Sequence, residues 1–328
     1  MLDVGIIGLG PHWESKYRPI LQKLTQRLRV RSVYSPVNNL ADAAAADLNC
    51  SVSLGMLPLV QRDDVRAVLI LDGGWCRHTS VEFACRQGKP AFLGGPLDLS
   101  PVALRGLADL TATQGAMLIP EFSHRYTPAT GRLRELAAAR LGRPLDILVE
   151  VPPSDLNGSA TGHPAHASAA LVAAFDWCRN LLGTAPAKIT ATAGNPGDCA
   201  PAGLGAGVVI EVLFRRPAAG GDAPRATIRL APPGPADARP RNVQYSVQCA
   251  AGRATIDGPD RITWVHAGEE ATETLTTERG DVEVLLDHFC RRVVGGLVPV
   301  PTLDDVSLAL RLADLADQSL RQRAPINF

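Results

Sequence analysis

The stretch LDVGIIGLGPHW, Leu2–Trp13, decides the fold of the first part of this chain. Its apolar run ends in glycines, which is the pattern of a buried parallel strand. Gly8 and Gly10 open the motif G-x-G-x-x-G, in which the first glycine permits a tight turn and the second lets the backbone approach a pyrophosphate. The third position is Trp13, which cannot give the close helix–strand contact of a glycine. The stretch predicts a strand, a glycine turn and a helix.

Strands and helices alternate from this stretch to about residue 120. Further strands are predicted in RVRSVYS, VRAVLILDG, PAFLGGP and AMLIPEF, with helices between them. Pro19 marks the start of the first helix, Gly88 the end of a later one, and Ser100 the cap of the next. This alternation predicts a parallel sheet with right-handed crossovers. We therefore predict a Rossmann domain over residues 1–122.

The remainder, residues 123–328, has a different pattern. A strand, RPLDILVEV, precedes a stretch rich in Pro, Gly and Ser, and the helix HASAALVAAFDWCRNLLG ends at Gly183. Six strand-like runs separated by glycine and proline turns follow, and two amphipathic helices end the chain. This order predicts an α+β domain with a largely antiparallel sheet. The last helices are candidates for packing back on the first domain.

Composition limits the classes of partner. The 328 residues include 33 Lys plus Arg and 33 Asp plus Glu, which gives a net charge of zero, and no basic patch or tail in the sequence indicates nucleic acid as a partner. No apolar run is long enough to cross a membrane, and the chain begins directly with a strand instead of a signal peptide. We expect a cytoplasmic protein that acts on a small molecule.

The cysteines predict neither disulfides nor a metal site. Their number is odd, their spacing is wide, and no C-x-x-C occurs, which favours reduced thiols packed as small apolar residues. They are Cys50, Cys76, Cys85, Cys178, Cys199, Cys249 and Cys290. The histidines also lack the spacing of metal ligands, so no metal is expected.

The end of the second strand bears on the choice of cofactor. An acidic residue there would bind the ribose 2′-hydroxyl of NAD, but the chain has Ser35. Without a carboxylate to repel a 2′-phosphate, NADP is slightly favoured over NAD. Two interpretations stay open: a true dinucleotide site, and a Rossmann scaffold without one, in which Ser35 is an ordinary turn residue.

Candidate cofactor-binding residues lie at the glycine turn and at the carboxyl ends of the predicted strands. They are Gly8, Gly10, Pro11, His12, Trp13, Ser35, Asp72, Gly73, Gly74, His78, Gly94 and Gly95. His78 either lines the cofactor groove or caps and packs its helix.

Just past Gly10, the residues Trp13, Glu14, Lys16 and Tyr17 form a polar and aromatic cluster. Its lysine could pair with a phosphate or a carboxylate substrate. Alternatively, the cluster is a solvated first helical turn.

Five stretches of the chain, in order, resemble the Gfo/Idh/MocA family, the relatives of glucose–fructose oxidoreductase and inositol dehydrogenase. They are VGIIGLG, DVRAVLILDGGWCRHTSVEFACRQGKPAFLGGPLDLS, LIPEFSHRYTPATGRLRELAAARLGRP, FDWCRNLLG and DHFCRRVVGGLVPVPTLDDVSLALRLADLADQSLRQRAPI. This resemblance covers nearly the whole chain. It implies a Rossmann domain joined to an open-sheet α+β domain, a bound NAD(P), a sugar-type substrate and a homo-oligomer.

The resemblance also implies three acid–base groups that this sequence lacks. The lysine of the family's Glu-Lys-Pro, near the nicotinamide, corresponds to Gly95 within Gly94-Gly95-Pro96. The family's Asp and His on a helix of the substrate domain fall on Ala169 and Ala173. Because the nicotinamide supplies no base, and a positioned base contributes about 10²–10⁴-fold in rate, the loss is serious. Either other residues serve, or the protein does not perform this reaction.

Four residues are the candidate replacements. His166 lies two helical turns before Ala173 and so projects from nearly the same face, unless it is a water-facing histidine. His124 and Tyr126 follow the last Rossmann strand, where ligands bind, unless they only pack at the domain junction. His163 sits in a loop and either closes over the cleft or faces water.

We predict an NAD(P)-dependent oxidoreductase acting on a sugar, polyol or sugar-derived substrate. One alternative is a relative that binds a nucleotide or sugar ligand without redox turnover. Another is a lyase or hydrolase that uses a bound nicotinamide.

Overall fold

A computed structural model describes residues 1–71, 77–95, 101–153, 168–193, 204, 206–218, 220–231, 242–276 and 279–328. The chain divides into two compact units. The first unit comprises Met1–Ser123 and Val282–Asp305, and the second comprises His124–Asp281 and Val306–Phe328. Each is described by itself below.

The first unit is built on a six-stranded parallel sheet. Its strands are β1 (Leu2–Ile7), β2 (Leu28–Tyr34), β3 (Ser51–Val52), β4 (Ala67–Ile70), β5 (Ala91–Leu93) and β6 (Leu118–Pro120). They lie in the order β3-β2-β1-β4-β5-β6, so the direction of winding reverses between β1 and β4. This is the Rossmann arrangement that the alternation predicted, and such sheets bind ligands at the carboxyl ends of the strands beside that reversal.

Helices connect these strands. They are α1 (Arg18–Lys23), α2 (Asn38–Leu48), α3 (Met56–Gln61), α4 (Arg77–Arg86) and α5 (Pro101–Gln114). Pro19 occupies the start of α1, as predicted, because its fixed φ suits the first turn and its missing N–H costs nothing there. The sequence did not predict β3, because two exposed residues carry no periodic apolar signal.

Burial on both faces explains the near-continuous apolar strands. All four residues of β4 are buried, as are Leu2, Val4 and Gly5–Ile7 of β1.

Two further helices lie near the end of the chain, α8 (Asp281–Val293) and α9 (Leu303–Gln322). Within the first unit, Phe289 of α8 meets Phe92 of β5 edge to face, with ring centroids 5.8 Å apart.

The second unit contains a nine-stranded, mostly antiparallel sheet. Its strands are β7 (Pro144–Val151), β8 (Pro186–Ala193), β9 (Val208–Phe214), β10 (Arg225–Leu230), β11 (Gln244–Cys249), β12 (Gly252–Asp257), β13 (Arg261–His266), β14 (Glu269–Thr274) and β15 (Ile326–Asn327). They lie in the order β14-β13-β12-β11-β7-β10-β9-β8-β15, and only β7 and β10 pair in parallel. Burial alternates along β9, as expected for a sheet with one packed face. The predicted α+β class is confirmed.

Two helices of this unit position the polar cluster described below. They are α6 (Pro128–Leu136) and α7 (Ala169–Leu182). α7 ends at Gly183, as predicted, and this glycine is in the left-handed conformation. The start of α7 differs from the prediction, because Ser168 caps it by accepting a hydrogen bond from the N–H of Leu171. The helix therefore begins three residues after His166, and both His163 and His166 lie outside the described residues.

Two composition-based expectations can be compared with the described residues. Five cysteines there are free thiols, namely Cys50, Cys85, Cys178, Cys249 and Cys290. In those same ranges no helix combines the length and the apolarity that a bilayer span requires.

Candidate functional site

The glycine turn forms as the motif predicted, at the carboxyl end of β1. Gly8 has φ +85°, a left-handed conformation that a side chain would strain, and its N–H donates to the Tyr34 carbonyl of β2 at 2.9 Å. Trp13, in the place of the third glycine, is buried. A tryptophan therefore belongs to the core at the position where the motif has a glycine.

The residues between Gly10 and Trp13 are exposed. Pro11 and His12 both face solvent. Because proline has no N–H, the turn offers a pyrophosphate one backbone donor fewer at Pro11 than a typical turn of this kind.

A π-helical turn, Trp13–Tyr17, replaces the regular start of the first helix. The N–H groups of Lys16 and Tyr17 both donate to the His12 carbonyl, at 3.0 and 3.2 Å. Such wide turns are frequent at functional sites. Here the turn brings two consecutive side chains to one acceptor, Glu121, although neighbours on a regular α-helix point about 100° apart.

Glu121, directly after β6, is the acceptor at the centre of this cluster. Its Oε1 pairs with the Lys16 ammonium, and its Oε2 accepts the Tyr17 hydroxyl at 2.6 Å and the Gly95 N–H at 3.0 Å. The Glu121 side chain is only 5% exposed, whereas that of Lys16 is 29% exposed. The carboxylate is thus buried and satisfied, and the ammonium remains accessible from solvent.

Gly94 and Gly95 leave room for this cluster. A Cβ at Gly94 would lie 2.6 Å from the Tyr17 hydroxyl and 3.2 Å from the Leu71 Cα. The tyrosine therefore occupies the space that a side chain at position 94 would need. Gly95 has φ +75°, which disfavours any other residue. The Arg77 side chain donates to the Gly94 carbonyl at 3.2 Å and places a second cation nearby.

Tyr17 is an integral part of the core, being 1% exposed. Burial, followed by the charge of Glu121, raises the pKa of Tyr17 well above its ordinary value. The phenol therefore stays neutral and donates to Glu121. Burial of Trp13 and Tyr17 contradicts the alternative of a solvated turn for these two residues, whereas Glu14 is indeed exposed.

The other predicted cofactor residues of this unit are spread along the same edge of the sheet. Ser35 is buried after β2, and its hydroxyl accepts the N–H of Val37 at 3.2 Å, as a turn residue does. His78 is exposed in the first turn of α4. Asp72, Gly73 and Gly74 lie outside the described residues.

The second unit holds a separate buried cluster centred on Asp176 of α7. This carboxylate is 0% exposed; it accepts the Arg125 Nε at 2.7 Å and lies 2.6 Å from the Nε2 of His124. Burial alone would raise its pKa, but the hydrogen bonds from Arg125 and His124 outweigh burial and hold the pKa of Asp176 below its ordinary value. Asp176 therefore fixes the imidazole of His124.

Two alanines share the helix face of this carboxylate. Ala169, Ala173 and Asp176 are spaced four and three residues apart, which places them on one side of α7. Ala169 is exposed and Ala173 half-buried, so Asp176 is the acidic group of this face. Tyr126 is half-buried in the 3₁₀ turn Ser123–Tyr126, which also carries His124.

Sequence reasoning missed Glu121 and the role of Asp176. Glu121 is the next-to-last residue of the predicted strand AMLIPEF, and a carboxylate at the carboxyl end of a parallel strand was the available signal, because ligands bind there. Asp176 lies within an apolar helical run, and a charged residue there is buried only when it has partners. Nothing in the spacing identified His124 and Arg125, 52 and 51 residues earlier, as those partners.

Comparisons with known proteins show the fold. No protein-family model matches the chain, and no curated protein matches it. Among solved structures, a protein assigned as a myo-inositol dehydrogenase from Sinorhizobium meliloti 1021 has 20% identity and a TM-score of 0.73, covering 100% of this chain and 99% of that one.

Two further structures give the same result. A protein assigned as an NADPH-dependent oxidoreductase from Desulfitobacterium hafniense has 16% identity and a TM-score of 0.76, over 99% of this chain and 97% of that one. An aldose–aldose oxidoreductase from Caulobacter crescentus, complexed with glycerol, has 16% identity and a TM-score of 0.73, over 100% and 99%. The chain thus has the fold of these oxidoreductases, a Rossmann-type domain followed by a mostly antiparallel sheet domain, over its whole length.

Proposed function

We propose that this protein is an NAD(P)-dependent oxidoreductase that acts on a sugar, a polyol or a sugar-derived substrate. The observation that carries the proposal is the left-handed turn at Gly8, at the carboxyl end of β1 and beside the reversal of the sheet. The structures of similar fold are oxidoreductases of inositol and aldose, or are NADPH-dependent, by their own names.

The residues of the first unit fit a dinucleotide. Gly8 and Gly10 would let the pyrophosphate approach the backbone, and Pro11, His12 and Trp13 would form the rim of the turn. Ser35, Gly94 and Gly95 would line the groove, with His78 beside them, and Asp72, Gly73 and Gly74 stay candidates from the sequence alone. A bound nicotinamide would accept or donate a hydride. Ser35 leaves the ribose end without a carboxylate, which favours NADP over NAD.

His124 is an acid–base candidate in the second unit. Asp176 holds its Nε2 at 2.6 Å, the arrangement by which a carboxylate orients an imidazole and stabilises its protonated form. We include Tyr126 and His166 as further candidates because of their positions in the chain. A homo-oligomer, built through the open sheet, is also part of the proposal.

A second candidate function is ligand binding without turnover. The observation that favours it is the absence of ionisable side chains at Gly95, Ala169 and Ala173, together with the donor that Pro11 lacks. Nucleotide binding alone would be retained in this case, and turnover would be absent.

Gly8→Ala tests the site directly. Isothermal titration of the purified chain with NAD, NADH, NADP and NADPH should show binding of at least one nucleotide, with NADPH or NADP preferred. We expect Gly8→Ala to weaken this binding about tenfold or more, a loss of roughly 1.4 kcal/mol, because a Cβ would strain the turn and crowd the pyrophosphate.

Gly88→Ala is the matched control. Gly88 also has a left-handed φ, +62°, and belongs to the same unit, but a Cβ there would meet nothing within 4 Å. It should bind like the unaltered chain. If none of the four nucleotides binds at millimolar concentration, or if both variants weaken binding equally, the proposed function is wrong.

A further inference from the structure

We propose that Lys16 is a catalytic residue, which gives and takes the proton at the oxygen of the reacting alcohol or carbonyl group, and that Glu121 is its positioning residue. This inference rests on the proposed function and names the group in the first unit that carries out its proton transfer. No motif in the sequence assigns this role to Lys16.

Position along the sheet distinguishes Lys16 from the other lysines. The sequence has four, and all lie in described parts of the chain. Lys89 precedes β5 and donates to the Arg62 carbonyl, at the amino-terminal edge of the sheet. Lys23 pairs with Glu283 on the outside of α1, and Lys188 lies on β8 of the second unit. Lys16 therefore brings the ammonium group to the edge where ligands of such sheets bind.

The ammonium group of Lys16 is held in place but not enclosed. Glu121 is itself fixed by the Tyr17 hydroxyl and by the Gly95 N–H, so the carboxylate cannot turn away from Lys16. The Tyr17 ring centroid lies 5.1 Å from the Nζ and limits the lysine on one side. With 29% of its side chain exposed, Lys16 can still reach a ligand and exchange protons with water.

This arrangement needs more supporting structure than a surface ion pair does. It requires a π-helical turn, a buried tyrosine, a buried carboxylate and two glycines that leave the space open. Exposed ion pairs contribute about 0–1 kcal/mol and need none of these features. A buried carboxylate that is fixed by the Tyr17 hydroxyl and the Gly95 N–H, and that also accepts from an accessible lysine, is instead what positions a proton-transfer group.

The proposed step balances. In the oxidation, the alcohol carbon loses its hydrogen with both bonding electrons to a nicotinamide, which is reduced, and the carbonyl C=O forms. The hydroxyl proton passes to the Lys16 Nζ in its neutral form. In the reverse reaction the Lys16 ammonium returns the proton to the oxygen. Lys16 exchanges the proton with solvent between turnovers.

Methyl-labelled lysine NMR tests the position of Lys16 without a substrate. After reductive methylation with ¹³C-formaldehyde, the Lys16 signal is the one absent from Lys16→Arg, and the control signal is the one absent from Lys23→Arg. Lys23 is a matched control because it belongs to the same unit and also pairs with a mostly buried carboxylate. Saturating NADPH should shift the Lys16 signal and leave the Lys23 signal unmoved. An unmoved Lys16 signal in a chain that binds NADPH overturns this proposal and leaves the proposed function intact.

The kinetics of two variants distinguish a role of Lys16 in proton transfer from a purely structural role. Arginine at position 16 keeps the ion pair with Glu121 but stays protonated at every working pH. With NADP and a panel of myo-inositol, D-glucose and glycerol, kcat of both Lys16→Arg and Lys16→Met should fall about 10²–10⁴-fold, while the NADPH dissociation constant changes by less than about threefold. The pH profile of kcat should also differ between Lys16→Arg and the unaltered chain, because an arginine does not lose its proton.

A wild-type rate in Lys16→Arg would overturn the proposal, since it would show that only the positive charge is needed. The NMR comparison decides the proposal even when no member of the panel reacts. Failure of the unaltered chain to bind any nucleotide is a different result, and it defeats the proposed function.

Discussion

Asp176→Asn should destabilise the protein by about 3–5 kcal/mol, the usual cost of removing one partner from a buried ion pair. The substitution removes the carboxylate charge that pairs with Arg125, which is also buried, and weakens the acceptor that orients His124. Urea unfolding at neutral pH, followed by circular dichroism, measures the change.

The effect should depend on pH in a defined direction. The pKa of Asp176 in the folded state is below its ordinary value of 3.8, so its ionisation stabilises the folded state above that value. This contribution is lost as the pH falls through the lower, folded-state pKa. The stability difference between the two proteins should therefore be constant near neutrality and should narrow below about pH 4.

Asp146→Asn is the control for this experiment. Its ion pair with Arg225 also belongs to the second unit, but both side chains are exposed to a large extent, so we expect a change below about 1 kcal/mol. Equal losses of stability in the two variants would contradict the conclusion that Asp176 stabilises the protein through a buried ion pair.

Gly94→Ala should destabilise the first unit by about 1–3 kcal/mol. The new Cβ would lie 2.6 Å from the Tyr17 hydroxyl and 3.2 Å from the Leu71 backbone. Tyr17 is buried and bonded to Glu121, so it can move away only by breaking that hydrogen bond. The same movement would displace Lys16, the preceding residue in the turn.

A double-mutant cycle isolates this contact. In a Tyr17→Phe background, Gly94→Ala should cost less, because the closest clashing atom is gone, and the coupling should fall within about 0.5–3 kcal/mol. Gly106→Ala in α5 meets nothing within 4 Å and should instead stabilise the helix by roughly 0.5–1 kcal/mol. An equal cost of Gly94→Ala in both backgrounds would show that Tyr17 does not occupy that space.

The fold could be predicted from the sequence wherever a strand is buried on both faces. β1, apart from Asp3, and β4 are near-continuous apolar runs, and the glycine that follows β1 marks the connection to the next element. The two-residue strand β3 could not be predicted, because only its pairing with β2 defines it. Local signals were sufficient for the start of α1 near Pro19 and the end of α7 at Gly183. Helix capping depends on residues that are close to one another in the sequence.

The candidate site could be predicted only in part, for a related reason. The turn at Gly8 is a local feature, and the motif predicted it. The partners of Lys16 and Tyr17 were not predictable, because Glu121 lies 105 and 104 residues further along the chain. The π-helical turn that aligns the two side chains has no periodic signal of its own in five residues.

A crystal structure of the intact chain grown with NADPH tests the central claim most directly. The account predicts density for a pyrophosphate against the backbone at Gly8 and Gly10, and for a nicotinamide ring on the side of the sheet where Lys16 meets Glu121. NADPH bound elsewhere on the protein, with the Gly8 turn and the Lys16 side chain untouched, would contradict it.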